Sequence, residues 1–145
     1  VKRRDVFLRT AGVALACLPA RALSQDMNAA INNFTNGALL REGRVAIDIA
    51  PLVENGNTVP VSVVVASPMT AADHVRRIAL FTERNPLPEV MVFHLGPHNG
   101  RATVATRMRL ATSQKVVAVA ELSDGSYWQS SVEVIVTLAA CIEGS

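Results

Sequence analysis

Val116-Val117-Ala118-Val119-Ala120-Glu121-Leu122, Ser123-Asp124-Gly125-Ser126, and Tyr127 through Ala140 form the stretch whose reading decides the fold. Two β-branched runs flank four small turn-forming residues, which is a hairpin pattern. In the second run Val132, Val134, Val136, Leu138 and Ala140 share one face, and Glu133, Ile135, Thr137, Ala139 and Cys141 share the other. The first set predicts a core-facing row. The run then fades into alanines, so Cys141 is expected to emerge as the sheet ends.

The same texture extends towards the N-terminus. Val45–Ile49 reads as a strand stopped by Pro51, and Glu54-Asn55-Gly56-Asn57 is an Asn-Gly turn signal. Val59–Ala66, bounded by Pro60 and Pro68, suits a strand with one end at a sheet edge. Val75–Phe81 is followed by the Asn85-Pro86-Leu87-Pro88 break, and Val90–Leu95 and Arg101–Leu110 flank the turn Gly96–Gly100. About seven short strands at regular spacing predict an all-β, immunoglobulin-like antiparallel sandwich. One helix is expected from about Gln25 to Leu40, with Asp26 as N-cap and Ala30, Ile31, Phe34, Ala38 and Leu39 on one side. A single helix argues against βαβ units.

Before that helix the chain reads as an export signal. Val1–Arg9 is basic, Thr10–Leu18 is small and apolar, and Ala20-Arg21-Ala22 suits a signal peptidase. Arg3-Arg4 followed by Phe7-Leu8 resembles a twin-arginine signal. The apolar run is far shorter than the roughly 20 residues a bilayer span needs. Expected boundaries are therefore 1–22 for the signal, 23–138 for the helix and sandwich, and 139–145 for a C-terminal arm. Removing the signal turns a net charge of +2 into −2, with 9 Lys and Arg against 11 Asp and Glu. No basic cluster remains for nucleic acid or an anionic membrane. The mature form is expected to be periplasmic and free of the membrane.

Half of the chain is hydrophobic, enough for a core without disulfides. The cysteines are Cys17, inside the expected signal, and Cys141, four residues from the end. An unpaired cysteine in an exported protein points to intermolecular pairing or a free, reactive thiol. A free thiol has a pKa of about 8.5, and Glu143 and the terminal carboxylate would oppose a second negative charge. The arm is thus passive until a partner activates it, which suits a carrier. An assembly module joined to its partner by a Cys141 disulfide is the alternative.

No catalytic residues are expected. His94 and His98 are four apart, but Leu95-Gly96-Pro97 rules out a regular helix between them. With His74 they read as surface or hydrogen-bonded histidines, and neither a metal nor a cofactor site is expected. Arg107 and Arg109 alternate on the outer face of a strand and read as solvated charges, with an anion site as the other possibility. Tyr127 and Trp128 are either core or interface.

Glu54-Asn55-Gly56-Asn57-Thr58-Val59-Pro60, Ser67-Pro68-Met69-Thr70, Asn85-Pro86-Leu87-Pro88, Thr106-Arg107-Met108-Arg109-Leu110-Ala111 and a terminal cysteine after a Val-rich strand occur in this order. With the twin-arginine start, this set resembles the SoxY family, the sulfur-carrier subunits of periplasmic thiosulfate oxidation. The resemblance implies an immunoglobulin-like sandwich paired with a small SoxZ-like β-sandwich subunit as a heterodimer. It implies that Cys141 carries the sulfur cargo, that a c-type cytochrome conjugates thiosulfate to it, and that a hydrolase then releases sulfate. The family's arm typically reads Gly-Gly-Cys-Gly-Gly, whereas this chain has Ala139-Ala140-Cys141-Ile142-Glu143-Gly144-Ser145. Alanine and isoleucine allow fewer dihedrals than glycine, so this arm is expected to be stiffer and bulkier beside its sulfur.

Overall fold

The computed structural model describes residues 26–138. The expected signal, Cys17, and the arm with Cys141 lie outside them. Helix α1 (Met27–Thr35) precedes nine strands: β1 (Leu40–Glu42), β2 (Val45–Asp48), β3 (Leu52–Asn55), β4 (Val59–Val65), β5 (Val75–Thr82), β6 (Glu89–His94), β7 (Ala102–Met108), β8 (Gln114–Leu122) and β9 (Tyr127–Leu138). They form a sandwich. One sheet has the order β1-β9-β8-β5-β6, with β3 added along the far half of β9, and the other has the order β2-β4-β7.

The β8–β9 hairpin is where the sequence places it, with register from Glu121↔Tyr127 to Gln114↔Val134. The large sheet buries both faces of its central strands. Ile78 and Leu80 of β5 and Val116, Ala118, Ala120 and Leu122 of β8 pack into the inter-sheet core with Val59, Val61 and Val63 of β4. Ala79, Phe81, Val117 and Val119 point the other way and pack under α1 against Met27, Ile31 and Phe34. This explains why β5 and β8 read as near-continuous apolar runs rather than clean alternations. Phe34 meets Phe81 and Tyr127 edge-on, with ring centroids 5.7 and 6.1 Å apart. Arg77, ion-paired with Glu121, places its guanidinium 4.2 Å from the Phe34 ring centroid. Aromatic packing and a cation–π contact thus pin the helix to the sheet.

The helix is shorter than its sequence pattern predicts. Asp26 caps it as expected, its Oδ1 accepting the Asn28 N–H at 3.0 Å. Asn36 and Gly37 then take φ of 52° and 75°, two left-handed residues that end a right-handed helix. Leu40 therefore belongs to β1, and Leu39 is 78% exposed instead of packing on the helix face.

Strands β1 and β3 are additional to the expected set, and both pair parallel to β9. The Asn-Gly signal does mark the β3–β4 turn, where Asn55 Oδ1 accepts the Asn57 N–H at 2.9 Å. The core-facing row of β9 is clearest at Val134, which is buried. Val132 and Val136 are half-buried and pack against the core, and Leu138 is 67% exposed because the sandwich ends there.

Candidate functional site

The residue on which the sequence places the chemistry, Cys141, follows β9 by three positions. Three residues span at most about 11 Å, so whatever Cys141 does is anchored by the structure around Leu138.

That anchor is two-sided. Where the β8 ladder stops, β3 takes over with register Leu52↔Ile135, Val53↔Val136 and Asn55↔Leu138. The Ile135 N–H donates to Pro51 O at 2.8 Å, and Thr137 Oγ1 donates to Glu54 O at 3.2 Å. On the opposite side Ser113 Oγ accepts the Val136 N–H at 2.8 Å and lies 3.3 Å from Val136 O, to which its own proton can go. One hydroxyl thereby serves both main-chain groups of Val136 just beyond the β8 ladder. The strand is held to its last described residue, because the Gly56 N–H donates to Leu138 O at 3.0 Å.

From Gly56 the bonding continues across the end of the sandwich. Its carbonyl accepts the Leu110 N–H at 2.8 Å. Asn85 Nδ2 donates to Arg109 O at 2.8 Å, and Asn85 Oδ1 accepts from the Ala111 N–H at 3.0 Å and from Gln114 Nε2 at 2.8 Å. Gln114, almost fully buried, also donates to Thr112 O at 3.0 Å and accepts the Arg84 N–H at 2.8 Å. Three motif segments far apart in sequence, 54–60, 85–88 and 106–111, are therefore tied into one platform beneath the end of β9. Ser67–Thr70 belongs to the opposite end. There Met69 takes φ of 52°, Ser67 Oγ accepts the Met69 N–H at 3.2 Å, and the His74 N–H donates to Ser123 Oγ at 3.0 Å.

The platform brings fixed backbone and exposed apolar side chains to the arm's root. Leu52, Ile135 and Leu138 are 60%, 59% and 67% exposed. Arg109 is exposed and lines a shallow hollow of about 290 Å³ with Asn85, Leu87 and Val90. Arg107 faces solvent opposite Pro60. Among the described residues neither arginine is ion-paired, in keeping with solvated charges.

The histidines are dispersed. His74 Nδ1 lies 3.0 Å from Thr70 O, His94 sits on edge strand β6 opposite Arg77, and His98 is in a 3-10 turn. Among the described residues no group of three or more His, Cys, Asp or Glu could hold a metal ion, and no helix is long and apolar enough to cross a membrane. Tyr127 is buried beneath α1. Trp128 is half-buried, with the guanidiniums of Arg41 and Arg44 lying 5.8 and 5.1 Å from its ring centroid. The sequence reading missed the Ser113 and Asn85 clasps. The only trace they leave in it is a polar residue beside each chain break.

The family model for the sulfur oxidation protein SoxY matches residues 31–141. Among solved structures, the sulfur carrier protein SoxY from Chlorobium limicola f thiosulfatophilum is 30% identical with a TM-score of 0.64, covering 78% of this chain and 97% of that one. Superoxide reductases share the fold at lower identity. The neelaredoxin from Ignicoccus hospitalis is 21% identical with a TM-score of 0.58, covering 64% of this chain and 79% of that one. The enzyme from Nanoarchaeum equitans is 12% identical with a TM-score of 0.56, covering 66% and 100%. No curated protein sequence matches the chain.

Proposed function

This chain belongs to the SoxY family of sulfur oxidation proteins, and from that membership we propose that it carries sulfur intermediates of thiosulfate oxidation covalently on Cys141. SoxY proteins are carriers, generally without catalysis of their own, and they work in the periplasm with other members of the Sox pathway. The observation that carries the finer reading is the extent of the match, whose last residue is Cys141 itself.

The chemistry needs little from the carrier. The Cys141 thiol and thiosulfate join through a new S–S bond to give Cys141–S–S–SO3⁻, releasing one proton and two electrons, and a c-type cytochrome partner accepts the electrons. Water then cleaves the S–SO3 bond under a hydrolase, sulfate and protons leave, and a persulfide remains on Cys141. The carrier contributes a thiol three residues beyond a firmly held strand. The platform under Leu138 supports this reading, since a partner that draws in Cys141 has a stable surface to meet within about 11 Å of it. Export by a twin-arginine-type signal over 1–22, a SoxZ-like companion and the arm boundary at 139 belong to the same proposal.

Mass spectrometry of the C-terminal peptide, isolated from periplasm without reductant, tests it. Mass increments of a thiosulfonate group or of added sulfur atoms on Cys141 are expected. A stoichiometric disulfide from Cys141 to one other protein, with no such increments, would overturn the carrier reading in favour of an assembly module.

A further inference from the structure

At the end of the sandwich opposite the arm, Trp128 carries two guanidiniums. Arg41 is the register partner of Trp128 across the β1–β9 pair, and Arg44 follows the tight turn at Gly43, where φ is 119°. Their cations lie 5.8 and 5.1 Å from the indole centroid. Arg44 is fixed by its main chain, its carbonyl accepting the Ala66 N–H at 2.8 Å. Among the described residues no carboxylate forms an ion pair with Arg41 or Arg44. Asp124 interacts electrostatically with both arginines but lies beyond ion-pair reach of either, and its Oδ1 accepts from the Ser126 hydroxyl at 2.6 Å and the Ser126 N–H at 2.9 Å. Glu42 points the other way, into the groove beneath α1. Leu39, two residues before Arg41, is 78% exposed, and β1 is an edge strand.

A half-buried tryptophan, two arginines with no ion pair among the described residues and an exposed leucine on a sheet edge have the composition of an interface centre rather than of ordinary solvated surface. Guanidiniums held over an aromatic ring can still donate to carboxylates.

We propose that Arg41, Arg44 and Trp128 form a docking surface for a protein partner that presents carboxylates, and that this partner is a standing companion of the chain rather than an enzyme acting on its arm. Charge complementarity selects the acidic partner. Position selects the companion: ten residue steps along β9 take the chain from Trp128 to Leu138, about 33 Å, so a protein held here is remote from the root of the arm. That last step rests on the carrier reading, whereas the docking surface itself rests only on geometry.

Trp128 is the only tryptophan of the chain, so its emission reports on this surface directly. The full chain is titrated with hexaglutamate, with hexaglutamine and sodium sulfate in parallel. Hexaglutamate should produce a saturable change in Trp128 emission, with the midpoint rising roughly tenfold as ionic strength increases from about 10 to about 150 mM. The Arg41→Gln/Arg44→Gln protein, checked for an unchanged melting temperature, should lose the response. Cys141→Ser should keep it, which separates this result from the cargo test. Absence of a saturable change, an equal response to hexaglutamine, or a response that survives in the double variant would overturn the proposal. Equal potency of sulfate would also overturn it, since the site would then bind any small anion.

Discussion

Cys141→Ser exchanges one sulfur for one oxygen and should erase every cargo increment from the C-terminal peptide. Stability should change within about ±0.5 kcal/mol, as for surface substitutions; a large fall in melting temperature would instead place the thiol in a core. A second prediction concerns Asp124. Hydrogen bonds from the Ser126 hydroxyl and then its N–H hold this carboxyl below its ordinary value, with smaller help from Arg44 and Arg41. Its contribution to stability is complete above the unfolded-chain value and is lost as pH falls through the lower folded one. Ser126 Oγ also accepts the Trp128 Nε1–H at 3.0 Å, so Trp128 emission should titrate with a midpoint below the ordinary aspartate value. Ser126→Ala should move the midpoint of the Asp124 carboxyl upward, followed by NMR at that carboxyl because the variant also removes the oxygen that links it to the indole. An unmoved midpoint would refute the assignment.

Ser113 is the test case among the elements. Its hydroxyl engages both main-chain groups of Val136, so Ser113→Ala should cost about 1–2 kcal/mol. It should also speed hydrogen exchange at the Val136 amide more than at Val119 in the middle of the sheet. Equal acceleration at both would mean a general loss of stability rather than a loosened root. Thr82 offers the opposite sign. Its Oγ1 is buried with no hydrogen-bond partner among the described residues, so Thr82→Val should stabilise by about 1 kcal/mol, read as a higher melting temperature. These elements also mark where the sequence stops being readable. The β8–β9 hairpin and the start of α1 announce themselves because their patterns are local. Strand β3 does not, since Leu52–Asn55 acquires its conformation from β9; Glu54 and Thr137, which bond there, are 83 positions apart. The Asn-Gly turn was legible, but the strand before it was absorbed into the turn. Cys141 stands out in the sequence as an unpaired thiol and through family resemblance, and it lies outside the described residues. The Asn85 and Ser113 clasps do not stand out, because bonds between loop side chains and distant backbone have no period to detect.

At the scale of the whole molecule, residues 139–145 read Ala-Ala-Cys-Ile-Glu-Gly-Ser where the resemblance leads one to expect Gly-Gly-Cys-Gly-Gly. Ile142 is β-branched and stiff beside the sulfur. Replacing residues 139–145 with a Gly-Gly-Cys-Gly-Gly ending should therefore raise thiosulfate-dependent electron transfer in a reconstituted mixture whose enzymes are matched to glycine-rich arms. Equal rates would show that the tail sequence hardly matters, and faster rates with the native tail would point to co-adapted partners. The parallel pairing of β3 with β9 has a mechanical consequence as well. A tug on Cys141 along the axis of β9 loads the β8 ladder, the Ser113 bridge and the β3 ladder together, in shear. Rupture then requires many bonds to fail at once, whereas a strand peeled sideways from an edge gives way one bond at a time. If Cys141 takes cargo as proposed, an enzyme that grips it and lets go could pull on the chain repeatedly without unravelling the strands that hold β9.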